Sequence, residues 1–272
     1  MREEIPELLI DFFNQELAKW ELARKNVSAL DQVMRKPFDL GNGLKGYVQY
    51  NPARKISTVA KTDPDTLRNR KCFLCPEHRV GEQNYIEILP DWHLLINPYP
   101  IFKHHFTIAS KYHIPQTPDF NLGLQMANSL PGMTIFFNDV GAGASVPDHF
   151  HYQAVPNGSF PFLDYVDQGG ILPFKAFTGI IKPGEKDSQI PEMFENPVNM
   201  FFTKTPVGIR FLIIPRTTHR PACYFLPPPH RRLVSPGAAD IVGVLITPEQ
   251  EDFEKLTDRE ISDIYREVTF PC

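Results

Sequence analysis

An α+β fold is predicted, with an antiparallel sheet, covering helices and two related halves. Three observations predict it. His149, His151 and Gln153 alternate with Phe150, Tyr152 and Ala154, the period-two pattern of a half-buried strand with one polar face. Residues 86–156 read in the order strand, strand, helix, strand, turn, strand, which suits an antiparallel sheet with a helix laid over it. Residues 105–115, H-F-T-I-A-S-K-Y-H-I-P, return as R-F-L-I-I-P-R-T-T-H-R-P at 210–221. An apolar strand, a basic residue, then His and Pro recur in the same order, which is the mark of a duplicated half.

From the N-terminus, residues 5 to about 30 read as one helix, because Leu8, Leu9, Phe12, Phe13, Leu17 and Trp20 recur at helical spacing. Residues 1–35 are taken as an N-terminal helix that packs rather than reacts, 36–165 as the first half and 166–272 as the second. Residues 38–60 change to short strands and turns, where Arg54 and Lys55 are candidates to meet a phosphate, with solvated turn charges as the alternative. Residues 119–129 read as a short helix and 133–137 as the strand feeding a small-residue turn. Residues 158–197, rich in Gly, Pro and Phe, read as loop with short elements and as a candidate flap over the site. P-P-P-H-R-R at 227–232 reads as an exposed bend, I-V-G-V-L-I as a buried strand, and 247–267 as an acidic helix opened by T-P-E-Q.

The 272 residues suffice for a large core, and 42% hydrophobic with 22% charged residues is ordinary for a soluble globular chain. A net charge of -4 without any Lys/Arg block argues against nonspecific nucleic-acid binding. No apolar stretch reaches membrane-spanning length and M-R-E-E-I-P is unlike a signal peptide, so no membrane role and a cytoplasmic location are expected.

Chemistry concentrates in two places. Gly141, Ala142, Gly143, Ala144 and Ser145 follow Asn138 with almost no side-chain bulk, so their amides can approach an anion and form a nest directly ahead of His149 and His151. Cys72 and Cys75, in C-F-L-C, can clamp two positions of one zinc ion. Two further ligands are needed, and His113 and His149 are favoured over His78, His104 and His105. Redox use is the rival reading, but no thioredoxin-like strand and helix surround the pair.

These motifs together resemble the galactose-1-phosphate uridylyltransferase branch of the histidine triad (HIT-like) superfamily, which includes the GDP-hexose and diadenosine tetraphosphate phosphorylases. C-F-L-C-P with R-V-G looks like the zinc knuckle of the uridylyltransferases, and Y-N-P at 50–52 like the segment ahead of it. N-D-V-G-A-G-A-S-V-P-D-H-F-H-Y-Q-A is similar to the active-site segment of the GDP-hexose phosphorylases. The likeness spans roughly residues 36–160. It implies a HIT-like fold, His151 as nucleophile, Cys72, Cys75, His113 and His149 as ligands of a structural zinc, and Asn97 as a nucleotide contact. The family's His-Pro-His is His-Phe-His here, and the C-terminal His-x-His of a second metal site is missing.

The expected activity is that of a nucleotidyltransferase or phosphorylase acting on a nucleoside diphosphate sugar. The partners are a nucleotide or nucleotide-sugar substrate and a phosphate acceptor, with a homodimer as a candidate assembly. His149, His151 and Gln153 are the catalytic candidates; Arg54, Asn97, Asn138, Gly141, Gly143, Ala144 and Ser145 are the substrate-binding ones. Gln153 favours transfer to phosphate over hydrolysis, because an amide cannot give the leaving group a proton, a service worth on the order of 10²–10⁴-fold where it is needed. A dinucleoside polyphosphate phosphorylase, a nucleotide hydrolase and a non-catalytic zinc-stabilised nucleotide-binding module are the alternatives.

Overall fold

The structure, a computed structural model, describes residues 4–81, 83–184 and 195–272. In chain order the helices are α1 (Glu7–Lys19), α2 (Glu21–Ser28), α3 (Lys55–Thr58), α4 (Pro64–Asn69), α5 (Phe120–Ser129), α6 (Pro161–Asp167), α7 (Ala238–Ile241), α8 (Gln250–Lys255) and α9 (Asp258–Val268). The strands are β1 (Met34–Asp39), β2 (Lys45–Tyr50), β3 (Ile86–Leu89), β4 (Trp92–Ile96), β5 (Phe106–Ser110), β6 (Met133–Asn138), β7 (His151–Pro156), β8 (Phe177–Ile181), β9 (Val198–Thr205), β10 (Gly208–Pro215) and β11 (Val244–Thr247).

Eight strands form one sheet in the order β3-β4-β5-β7-β6-β9-β10-β8. Every neighbouring pair is antiparallel, as the alternating strands and short connections predict. The seam between β6 and β9 joins first-half strands to second-half strands, with Ile135 opposite Phe202. One face of the sheet carries Ile108, Ile135, Phe137, Tyr152 and Phe202 and packs against Phe13 of α1, Ala23 of α2 and Met126 of α5. The other carries Phe136, Phe201 and Ile214 and packs against Phe162 of α6, Ala238 of α7 and Ile264 of α9. The period-two alternation along β7 thus puts Tyr152 and Ala154 into one core and leaves His151 and Gln153 on the opposite side.

Several elements depart from expectation. The N-terminal helix breaks at Trp20, whose extended backbone (φ -105°, ψ 99°) ends α1 and starts α2. No Gly or Pro marks this break, which falls at the buried Trp20. The C-terminal helix is also two, because Thr257 and Glu260 form a capping box that opens α9 afresh. I-V-G-V-L-I is a strand only from Val244, and β11 pairs in parallel with β2, in a small separate sheet of order β1-β2-β11. Residues 34–50 and 244–247, far apart in the chain, therefore share one sheet. Residues 158–197 contribute α6 and the edge strand β8; 185–194 of the candidate flap lie outside the described residues. No helix among the described residues is long and apolar enough to cross a membrane.

Candidate active site

On the α6/α7 side of the sheet lies a cavity of about 450 Å³. His151 and Gln153 of β7 reach it, as do Arg54 and Asn97, and Gly143 and Ser145 of the small-residue turn. Gly141 and Ala144 are not in its wall: Gly141 faces Pro197 and Ala144 is buried. The second half supplies Ser235, Gly237, Ala238 and Asp240, none of which carries a sequence motif. An apolar wing of Trp20, Leu22, Phe73, Leu74 and Val80 completes it, so the N-terminal helices form part of a site as well as packing. Among the described residues, 158–184 do not reach this cavity.

His151 is buried at the cavity wall, and its Nδ1 lies 2.8 Å from the carbonyl oxygen of His149. A carbonyl only accepts, so Nδ1 carries the proton and Nε2 keeps its lone pair, with no partner among the described residues. Burial holds the ring's pKa down at about 4, so it is neutral near pH 7. Gln116, which sequence reading missed, fixes the backbone here: its Oε1 accepts from His151 N at 2.9 Å, and its Nε2 donates to the carbonyls of His151 and Asn138. The strand begins at His151, one alternation later than expected; His149 sits in the preceding turn, where its amide donates to the Val146 carbonyl.

Arg54 donates to the Tyr99 carbonyl at 2.7 Å, and burial brings its guanidinium pKa down to about 10, still fully charged. Its neighbour Lys55 pairs instead with Glu249 at the surface, so of the two candidate cations only Arg54 faces the cavity. Asn97 donates to Thr107 Oγ1 and accepts from Tyr99 N.

The small-residue turn is clamped from the second half. Gly141 and Gly143 have φ of +83° and +100°, where glycine is favoured. A Cβ on Gly143 would meet the Gly237 Cα at 2.4 Å, so glycine is required at 143 for the two backbones to touch. Asn138 Oδ1 accepts from Ala238 N and Asn199 Nδ2, and Asn199 also donates to the Ala142 carbonyl. Asn199 is in turn held by Arg216, fully buried, whose other nitrogens donate to the carbonyls of Val268, Thr218, His219 and Pro236.

Behind His151, Cys72, Cys75, His113 and His149 place their four ligand atoms within 4.8 Å of one another. Cys72 Sγ is 3.4 Å from His149 Nδ1 and Cys75 Sγ is 3.2 Å from His113 Nδ1, separations suited to the edges of a tetrahedron around a single ion. His149 donates from Nε2 to the Ser110 carbonyl at 2.8 Å, which aims the Nδ1 lone pair at the thiols. Asp148, paired with Arg70, stands 3.8 Å from His113 Nε2. Burial and the adjacent Cys72 push the Cys75 thiol up to about 12, so the two sulfurs require a cation between them to ionise together. The donor set thus fits a divalent metal. The rejected His105 lies elsewhere, fully buried between Ile101 and Gln153.

Residues 12–156 match the family described as a domain of unknown function (DUF4922). The chain belongs to this family. The DUF4922 match runs from within α1 to the end of β7, so it includes the knuckle, Asn97, the small-residue turn and His151, and excludes the second-half clamp. No curated protein matches the chain in sequence. The chain is similar to solved structures of yeast Ap4A phosphorylase Apa2. With Ap4A bound the TM-score is 0.60 at 16% identity, over 98% of this chain and 99% of that one. With AMP bound it is 0.62 at 17%, with the same coverage. The fold is HIT-like, and the resemblance read from the motifs holds at the level of the fold.

Proposed function

We propose that this protein is a nucleotidyltransferase of the phosphorylase kind, galactose-1-phosphate uridylyltransferase-like, which breaks a nucleoside diphosphate sugar through a nucleotidyl-histidine on His151. One observation carries the reading: a neutral imidazole, its Nδ1 proton spent on the His149 carbonyl, presents Nε2 to a cavity that also holds the Gln153 amide, Arg54 and the small-residue turn.

In the first step the Nε2 lone pair attacks the α-phosphorus in line. The phosphorus–oxygen bond to the leaving group breaks, and the sugar phosphate departs with that electron pair. The ring becomes cationic, and its Nδ1 proton stays on the bond to the His149 carbonyl, which stabilises that charge. In the second step an oxygen of the acceptor phosphate attacks the same phosphorus, the phosphorus–nitrogen bond breaks, and neutral His151 is regenerated. A phosphate leaves as a stable anion, so Gln153 need only donate its amide hydrogens to a non-bridging oxygen. Arg54 offsets the phosphate charge, and the wing from Trp20 to Val80 suits the apolar faces of a base.

Zinc fits the Cys72, Cys75, His113 and His149 set, and with four protein ligands it would be structural, holding the turn that delivers the His149 carbonyl. Metal analysis is expected to give about one equivalent of zinc, and Cys72→Ser to lose it together with several degrees of Tm. In this reading residues 1–35 form a wall of the site, 36–165 carry the chemistry and 166–272 brace it.

The deciding experiment uses substrates labelled at the α-phosphorus: UDP-, GDP- and ADP-hexoses and diadenosine tetraphosphate, with and without inorganic phosphate. An acid-labile protein adduct that phosphate discharges is expected, and it should be missing in His151→Ala. No adduct with any of them, or one that survives that substitution, sinks the reading. Release of monophosphate at a rate indifferent to phosphate would mean a hydrolase. A raised Tm with nucleotide but no turnover would mean a binding module. The end-to-end likeness to yeast Ap4A phosphorylase favours a second reading, a dinucleoside polyphosphate as the substrate, and the same panel separates the two.

A further inference from the structure

We propose that His105 is a positioning residue: it fixes which end of the Gln153 side-chain amide faces the reacting phosphate. The inference rests on the phosphorylase reading above for its catalytic consequence, but not for its geometry.

The geometry follows from donor and acceptor identities alone. The backbone amide of Ile101 points at His105 Nδ1 from 3.1 Å. An amide N–H can only donate, so Nδ1 must carry a lone pair. A neutral imidazole with a bare Nδ1 has its proton on Nε2, and Nε2 lies 2.9 Å from the side chain of Gln153. The ring therefore donates there, and the atom receiving it must be the carbonyl Oε1. Gln153 Nε2 has no acceptor among the described residues and is left to donate into the cavity its residue lines. The rotated amide would set an NH₂ against the N–H of His105 and a carbonyl oxygen against phosphate oxygens, two repulsive contacts in place of two bonds.

The device is rigid. His105 is fully buried beside Phe136. Burial, with Arg54 adding to it, lowers the ring's pKa to about 3, so the second proton that would blur the tautomer is excluded. Thr107, one alternation along β5, sits opposite Gln153 in the register, so His105 enters from the strand that already supports β7. A free glutamine at the surface samples both amide orientations. Here the backbone of residue 101 selects one through the imidazole.

The test has two arms. In ¹⁵N-histidine spectra of the wild-type protein, His105 is expected as the Nε2–H tautomer, assigned by its disappearance in His105→Gln, and its Nε2–H signal should move in Gln153→Ala. In kinetics with inorganic phosphate and whichever labelled substrate forms the His151 adduct, His105→Phe is expected to lower kcat about 10- to 100-fold with little change in KM, since loss of one donor to a developing anion costs about 10²–10³-fold in full. His105→Gln, which keeps an N–H at the same reach, should restore most of the loss. In a Gln153→Ala background His105→Phe should cost nothing more.

An Nδ1–H tautomer overturns the proposal whatever the turnover. So does a His105→Phe penalty of equal size with and without Gln153, which would mark a packing role. If His105→Phe does not fold, the wild-type tautomer and the His105→Gln rates still decide. The expected tautomer in a protein that turns over none of the substrates would instead strike the enzymatic reading, and the catalytic part of this role with it.

Discussion

Two stretches on either side of the cavity handle their polar groups in opposite ways. In the first half, along β7 and β5, each functional side chain spends part of its hydrogen-bonding capacity on the protein and keeps the rest: His151 uses Nδ1 and leaves Nε2, while Gln153 uses Oε1 and leaves its amide. In the second half, Arg216 spends all three of its nitrogens on carbonyl groups. Groups with capacity left over can bind and react; groups with none can only hold. The difference teaches where to look for chemistry when both stretches are equally buried.

The comparison breaks most sharply at His151. His151→Ala should abolish nucleotide transfer, by roughly 10³-fold or more, with Tm lowered by only a few degrees, since truncating the buried ring leaves a small cavity and cuts its bond to the His149 carbonyl. Arg216→Met should do the reverse. It leaves Asn199 Oδ1 and several carbonyls buried without a donor, at a cost of about 3–5 kcal/mol. Chemical denaturation would read this directly, and a Tm lower by roughly 10 °C should accompany it. Loss of activity in Arg216→Met at temperatures where the variant is fully folded would show that the brace also tunes the chemistry.

Asn199→Leu tests that link with a smaller effect. The tether from Asn199 Nδ2 to the Ala142 carbonyl and to Asn138 is cut while volume is kept. Arg216 Nη1 loses its acceptor as well, so stability should fall by about 2–3 kcal/mol. The KM for the phosphate acceptor should rise several-fold, since the turn that would cradle it loses its hold. A KM that does not move would uncouple the turn from the brace.

How much of this was legible in sequence follows the same division. Period-two alternation announced β7 because apolar Tyr152 and Ala154 alternate with polar His151 and Gln153, and the run from Gly141 to Ser145 announced a turn because bulk is missing from it. C-F-L-C and the family resemblance pointed to Cys72, Cys75, His113 and His149, whose ligand atoms the fold gathers within 4.8 Å of one another. The second-half wall was not: Ser235, Gly237 and Asp240 reach the cavity through a long return of the chain, and no local pattern encodes that. Adjacent Arg54 and Lys55 differ in which way the fold points them, Arg54 toward the cavity and Lys55 toward Glu249. His105 could have been found. It alternates with Phe106 and Ile108 as His151 alternates with Tyr152, a pattern that places it on the polar face beside β7. The break at Trp20 and the parallel pairing of β11 answer to tertiary packing and have no signature of their own.

The smallest expected effect concerns pH and sharpens the contrast from the second half. His219 Nε2 lies 2.9 Å from Ser235 Oγ, which also accepts from Arg220 Nε. Burial, with Arg220 and Arg216 nearby, lowers its pKa to about 3. The unfolded chain, with histidine near 6.5, binds this proton at pH 5 and the folded one does not. Stability contributed here is therefore complete above about pH 6.5 and falls as pH drops toward 3. His219→Gln should remove about one proton from the pH slope of the unfolding free energy between pH 4.5 and 6, measured by urea denaturation, and leave the midpoint near pH 7.5 within a few tenths of a molar of wild type. An unchanged slope would mean that the ring is protonated in the fold, and that this part of the brace retains the spare capacity otherwise kept for β7.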